Sequence, residues 1–331
     1  MTNLLRTRLR PAPARIPVVR PEEARAPAID IIEAGGVRWI AIGRSRAEER
    51  AWLEEHFDFH PLAYEDLVSR NQRPKVDDYG DYLFIVLYVP SYDKATGRLS
   101  AVELDMFVGH DYLITVPSAE LPSLARLFER YRAGDDLRAT EFAKGTAYLL
   151  YRVLDAAVDA SFPMLRMMGN KLDQIEDDLF EGRSDQIVRD ISGVKQEIIN
   201  FRKIVRPQRG TYRDLERAVR QGYVSDELDL YFDDLTDASE RIWDVLETYR
   251  ELVDSLESTN EAVLSHRLND TIRVLTAFSV VLLPLTLVAS VFGMNVKVPG
   301  EGETLAFWII VLGMVIGLVT LLGYFRYRRW L

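Results

Sequence analysis

The sequence predicts an α+β membrane protein: an N-terminal α/β cytosolic domain, a long-helix coiled-coil stalk and two C-terminal transmembrane helices. Three observations carry this expectation. Val274–Phe292 is nineteen residues without a charge, which at about 1.5 Å per residue is nearly the thickness of a bilayer core. A second uncharged run, Leu305–Phe325, follows after twelve residues. Upstream, Tyr223–Leu283 holds 61 residues with neither glycine nor proline, as one long helix requires.

Composition narrows the function classes. Charged residues are 28% of the 331, but nearly all of them precede residue 270. Cysteine is absent, which excludes disulfides, thiolate metal sites and a thiol nucleophile. A net charge of −10 argues against nucleic acid as a partner and directs attention to cations. No glycine-rich phosphate loop of the Walker type occurs, so neither an ATP-driven pump nor an enzyme is expected.

Taken in order, residues 1–28 carry six arginines and five prolines with no apolar core of a secretory signal, and read as a disordered tail. Residues 29–138 read as a cytosolic α/β domain with a mixed sheet. Val37–Ile42 is a strand, a polar helix follows near Ala47–Phe57, and Tyr82–Val89 is almost purely apolar. Ala101–Val108 and Tyr112–Val116 flank Gly109-His110-Asp111, a three-residue hairpin loop.

Residues 139–273 read as a helical stalk. Glu141–Glu181 is expected to be mostly one helix, kinked at Pro163 and stopped by Gly182. Ser184 caps a second helix that Pro207 and Gly210 kink or interrupt near Val205 and that resumes over Thr211–Gln221. Gly222 stops it, and Ser225 caps a third helix on the order of 100 Å long if helical through to Phe292. Its seam is Leu235, Ala238, Ile242, Val245, Tyr249, Leu252 and Leu256, alternating by three and four. Asp226–Glu257 holds twelve acidic and two basic residues, whereas Lys195–Arg220 holds eight basic and three acidic ones. Such helices either attract each other side by side, or some of the carboxylates bind a hard divalent cation such as Mg²⁺.

Residues 274–331 read as a two-helix transmembrane domain with a short outer loop, 293–304, and a basic cytosolic tail. Leu275, Ser279, Leu283, Thr286, Ser290 and Gly293 recur at three and four, and Ile272 and Asn269 continue the stripe. Two readings stand: the hydroxyls bond back to their own helix, or they line a narrow pore with leucine constrictions. A single helix encloses nothing, so a pore requires a symmetric oligomer. Pro284 kinks or loosens the first helix, and Gly313 and Gly317 form a GxxxG face on the second. Arg267 and Arg273 before the first helix, and Arg326, Arg328 and Arg329 after the second, put both termini in the cytosol. The multi-pass protein is then placed in the cell (inner) membrane.

Gly293-Met294-Asn295 at the end of the penultimate helix resembles the signature of the CorA family of magnesium channels. It comes with Leu283-Pro284-Leu285-Thr286, a second membrane helix and a basic tail ending in Trp330-Leu331. Far upstream, His60-Pro61-Leu62-Ala63-Tyr64-Glu65-Asp66 and Asn71-Gln72-Arg73-Pro74-Lys75-Val76 resemble the family's N-terminal-domain segment. The resemblance spans about Phe59 to Leu331. It implies a pentameric funnel, a homopentamer in membrane lipid, taking up Mg²⁺, with Co²⁺ a further cargo, down the membrane potential. Gly293, Met294 and Asn295 then resemble the entrance filter. Asn269, Thr286 and Leu275 match pore positions. Asp66 and Asp234 match carboxylates holding a regulatory Mg²⁺ between subunits, and Glu65 and Asp155 an adjacent site.

The sequence departs from the family at Phe292, where tyrosine is commoner, at Leu283, where methionine is frequent, and in the loop 298–303. A zinc transporter of the same fold is one alternative, and a non-transporting membrane-anchored coiled-coil sensor or scaffold is the other.

Overall fold

The computed structural model describes residues 27–43, 46–69, 72–93, 98–181, 184–222, 226–294 and 304–328. Asn295, the outer loop from 295 to 303, the tail up to residue 26, the Ser225 cap and Trp330-Leu331 lie outside the described residues. By contacts the chain divides into two units. One comprises residues up to Met167 with Glu197–Leu246, and the other Met168–Gln196 with Glu247–Leu331.

The first unit contains a six-stranded mixed sheet. Strands β1 (Ile29–Ala34), β2 (Val37–Ile42), β3 (Lys75–Asp78), β4 (Leu83–Asp93), β5 (Arg98–Val108) and β6 (Tyr112–Pro117) lie in the order β1-β2-β6-β5-β4-β3. Only β2 and β6 pair in parallel. Leu83 to Leu87 are all buried, which explains why β4 reads as an unbroken apolar run rather than an alternating one. The β5–β6 turn forms at Gly109, whose N–H reaches the Tyr112 carbonyl at 2.9 Å. A side chain at Gly109 would lie 2.3 Å from the Tyr112 ring, so glycine is required there.

Two helices cover one face of the sheet, the first expected near Ala47–Phe57 and the second not read from the sequence. Helix α1 (Ala47–His56) and helix α2 (Pro61–Val68) pack Leu53, Ala63 and Leu67 onto Phe84, Val86 and Phe107. Pro61 opens α2, and His60 Nδ1 accepts the Leu62 N–H at 3.2 Å, so one first-turn donor is satisfied locally. On the other face Trp39 meets Phe128 and Tyr131 of α3 (Pro122–Ala133) edge-on. Trp39 also donates its indole N–H to Thr115 at 3.1 Å.

The expected single helix over Glu141–Glu181 is corrected. It is three helices: the end of α4 (Asp135–Phe142), then α5 (Thr146–Asp159), then α6 (Ser161–Glu181). Gly145 makes the first break, with φ +90°, a conformation glycine adopts freely. Pro163 does not kink a helix interior. It sits in the first turn of α6, where its missing N–H has no intrahelical acceptor to lose. Helix α7 (Ser184–Gly222) runs through Pro207 without interruption, against the expected break. Its Gln208 is buried and accepts the Tyr88 N–H of β4 at 3.0 Å, just past the last β3–β4 pair, Lys75 with Val86.

Helix α8 (Asp226–Phe292) is continuous over 67 residues, and α9 (Thr304–Tyr327) follows. Along the seam region of α8 the buried residues include Leu235, Ser239, Ile242, Leu246, Val253, Leu256 and Asn260. Ser239, Leu246 and Val253 thus replace Ala238, Val245 and Leu252 as the inward positions, and the latter three are half-buried. The seam is turned because α8 has two neighbours. Tyr249 Oη lies where a Gly169 side chain would begin on α6, while Lys195 of α7 meets Glu257 at 2.6 Å. The opposite charges of α7 and α8 do attract. Arg209 and Arg213 both pair with Glu240, Arg220 pairs with Asp229 at 3.1 Å, and Arg202 and Arg209 lie over Trp243.

Candidate functional site

The apolar end of α8 presents two different faces. Ala277 and Val281 are buried against Phe325 of α9, with Leu318 and Leu321 alongside. Asn269, Ile272, Leu275, Ser279, Leu283, Thr286, Ser290 and Gly293 are all exposed. The predicted stripe is therefore one continuous surface, turned away from the face that binds α9. Leu275 is 66% and Leu283 67% exposed, and with Phe278, Leu282 and Leu287 they form a contiguous apolar surface of a kind that soluble monomers rarely leave uncovered.

Both readings of the hydroxyls meet here. Ser279 donates to the Leu275 carbonyl at 3.0 Å and Thr286 to the Leu282 carbonyl at 2.8 Å. Each proton is spent inside the helix, but the oxygen lone pairs remain outward as acceptors. Gly293 follows the last turn of α8, its N–H bonded to Ala289 O at 2.9 Å. A side chain there would approach that same oxygen to 3.0 Å, a tight contact that the backbone would have to relieve by a few tenths of an ångström. Met294 is exposed. The face at Gly313 and Gly317 meets nothing within 4 Å, so this chain does not use it for α8–α9 packing.

The carboxylates singled out in the N-terminal half and at Asp234 form two separate groups within the first unit. On α2, Asp66 Oδ2 is held by Lys75 Nζ at 2.7 Å, and the same ammonium reaches Asp77 at 2.6 Å. Glu65 beside it is exposed. Under this edge lie Glu103 and Asp105 of β5, 7% and 4% exposed. Tyr88 places its hydroxyl 2.6 Å from Glu103, and burial together with Glu103 raises the Tyr88 pKa. Burial pushes the Asp105 carboxyl well above the usual range. Glu103 and Asp66 push the same way, and Lys75 only partly opposes them.

The second group is on α5 and α8. Asp155 bonds Arg152 at 3.0 Å, and Arg152 also holds Glu141 at 3.2 Å, with Tyr131 bonded to the same carboxylate. Burial raises the Asp155 pKa, Asp159 and Asp234 add repulsion, and Arg152 opposes them. Asp155 and Asp234 are thus brought within electrostatic reach of each other, on elements other than the α2 that carries Glu65 and Asp66. Among the described residues no three His, Cys, Asp or Glu side chains are arranged to hold a metal within one chain.

The family profile described as CorA-like Mg²⁺ transporter protein matches residues 34–328. The chain belongs to that family. Among its relatives, a putative metal ion transporter of Bacillus subtilis, YfjQ, is 28% identical over 295 residues, covering 88% of this chain and 89% of its own. The cobalt/magnesium transport protein CorA of Thermotoga maritima is 28% identical over 299 residues, covering 88% of this chain and 83% of its own. The complete structure of the CorA magnesium transporter from Methanocaldococcus jannaschii superposes with a TM-score of 0.75 at 21% identity, covering 89% of this chain and 92% of that one. The fold expected from the sequence is therefore that of CorA, with two C-terminal membrane-spanning helices, and the protein is a CorA-like divalent-cation transporter.

Sequence reasoning missed Lys75, Asp105 and Arg152. Lys75 stands inside a family-like segment but was given no role, because its ion pair with Asp66 appears only when β3 and α2 meet. Asp105 had a legible signal. Glu103, Asp105 and Phe107 alternate on one face of a strand, and two acids on a face that ends in a buried phenylalanine face the core. Arg152 lies three residues before Asp155, one helical turn away, and that spacing alone suggests a pair.

Proposed function

We propose that the protein is a gated channel for passive Mg²⁺ uptake, with Co²⁺ as a further cargo. In this reading it assembles as a homopentamer in the inner membrane with both termini cytosolic. The observation that carries this is the exposed, uncharged, acceptor-bearing stripe from Asn269 to Gly293 on a helix otherwise apolar enough to sit in lipid. In hydrocarbon such a stripe is costly. Turned inward among copies of α8 it is wetted instead.

Hydrated Mg²⁺ carries its water hydrogens outward, and Mg²⁺ gives up that water reluctantly. The oxygens of Ser279 and Thr286, and the amide oxygen of Asn295, accept such hydrogens without stripping the shell. Gly293, Met294 and Asn295 serve as the entrance filter. Leu275 and Leu283 form apolar constrictions that gate by drying. At 100 mV an elementary charge gains about 2.3 kcal/mol, so a divalent ion gains about 4.6 and needs no ATP.

For closure, Asp66 and Asp234 would hold a regulatory Mg²⁺ between neighbouring copies, with Glu65 and Asp155 at an adjacent site. The half-buried carboxylate of Asp155, with the exposed Asp159 and Asp234 repelling it, fits a cation-seeking surface, and Mg²⁺ commonly takes only one or two carboxylates. Bound there, the ion would neutralise repulsion between copies. When the site empties, Asp66 and Asp234 repel their counterparts and favour open arrangements. Asp234 belongs to the same continuous helix as Leu275, which ties the carboxylates to the constriction.

Ion-selective uptake into proteoliposomes tests the reading. Mg²⁺ flux that falls in Asn295→Ala is expected. Zn²⁺ flux in preference to Mg²⁺ would make it a zinc transporter, and no flux of any divalent ion would make it a scaffold. Asp234→Asn is expected to weaken inhibition by Mg²⁺ on the cytosolic side, and unchanged inhibition removes that residue from the gate.

A further inference from the structure

Lys75 is a cation already seated on a carboxylate assigned above to the regulatory Mg²⁺. Its ammonium lies 2.7 Å from Asp66 and 2.6 Å from Asp77, and 5.6 Å from the centroid of the Phe84 ring. The Asp66 side chain is only 17% exposed, so this pair is better shielded than an ordinary surface ion pair. A metal ion arriving at Asp66 therefore meets this ammonium as a like-charged competitor for the same carboxylate.

The structure also provides somewhere for it to go. Lys75 stands opposite Val86 and Val86 opposite Asp105, so the three side chains leave the sheet in one row on one face. Neighbouring strands are about 4.8 Å apart, which puts the two outer Cα atoms about 10 Å apart, a gap that an extended lysine and an aspartate close between them. Asp105 is buried, and its Oδ1 has no hydrogen-bond partner. A buried carboxylate oxygen left without a partner is costly, and an ammonium arriving in that row would satisfy it.

We infer that Lys75 is a tethered competitor of the regulatory divalent cation: its ammonium holds Asp66 when metal is scarce and moves to Asp105 when metal takes Asp66. This rests on the assignment of Asp66 to the regulatory site. The competitor is part of the chain, so its local concentration is fixed and high, and it sets how much free Mg²⁺ is needed to close the channel. The divalent ion prevails only when abundant, because it brings two charges against one.

The test is the MgCl₂ midpoint for thermal stabilisation of the detergent-solubilised full chain, read beside the midpoint for inhibition of flux. Lys75→Gln is expected to lower both midpoints by about three- to tenfold, and Lys75→Arg, which keeps the competitor, to hold them within about twofold. Asp105→Asn is expected to raise them by about two- to threefold with Lys75 present and to do nothing in the Lys75→Gln background. Midpoints that stay put or rise in Lys75→Gln overturn the competitor. So does an Asp105→Asn effect that is the same with and without Lys75, which holds even if Lys75→Gln folds poorly. If Asp66→Asn itself leaves the midpoint unmoved, the regulatory assignment fails and takes this inference with it. If Asp66→Asn moves the midpoint and neither partner variant does, only the role of Lys75 falls.

Discussion

Thr286 gives its hydroxyl proton to the Leu282 carbonyl at 2.8 Å and keeps its oxygen on the exposed face of α8. Thr286→Val preserves shape and removes the hydroxyl, both its outward acceptor and its bond to Leu282. Mg²⁺ uptake into proteoliposomes is expected to fall about fivefold, in line with one hydrogen bond of about 1 kcal/mol. Uptake at the wild-type rate would remove Thr286 from the ion path.

Ala277 is fully buried against Phe325, where the two membrane helices meet. Ala277→Leu overfills that contact and is expected to cost about 1–3 kcal/mol. The check is a lower Tm in detergent, with Leu275→Ala on the opposite, exposed face leaving Tm nearly unchanged.

Arg152 bonds both Glu141 and Asp155 and is 19% exposed. Arg152→Met leaves two carboxylates without their shared cation. The expected loss is about 2 kcal/mol, below the value for a fully buried pair because solvent still reaches the group. Adding Glu141→Gln is expected to recover part of it, measured by denaturant titration.

Asp105 sets a pH dependence. Its pKa is raised in the fold by burial first, then by Glu103 and Asp66, against a partial opposition from Lys75. Between the ordinary aspartate value and the raised one, the folded chain holds more protons than the unfolded chain. Stability therefore falls as pH rises through that window and is recovered below it. Asp105→Asn is expected to flatten the slope of Tm against pH between about pH 4 and neutrality. A slope identical to wild type would assign the effect to another group.

Much of this architecture is legible in the sequence for a simple reason: its strongest signals are long. Nineteen uncharged residues ending at Phe292 and 61 residues without glycine or proline can hardly be anything else. The exposed stripe on α8 is legible too, since three-four spacing fixes which residues share a face. What fails is local competition. Gly145 breaks a helix that Pro163 was expected to bend, because a proline in a first turn breaks nothing. The seam of α8 turns by one residue at Ser239, Leu246 and Val253 because two neighbours, not one, claim its surface. At the carboxylates, the sequence offers acids but not their partners. Lys75 is nine residues from Asp66 along the chain, and only the meeting of α2 with β3 makes them a pair.

The back-bonded hydroxyls on the exposed stripe have one more consequence. A hydrated anion turns its water oxygens outward and needs donors around it. Ser279 and Thr286 have none left to give, since both protons are committed to carbonyls one turn back. In the proposed passage these two positions therefore present acceptors only, and they favour a hydrated cation over a hydrated anion without carrying a charge that salt could screen.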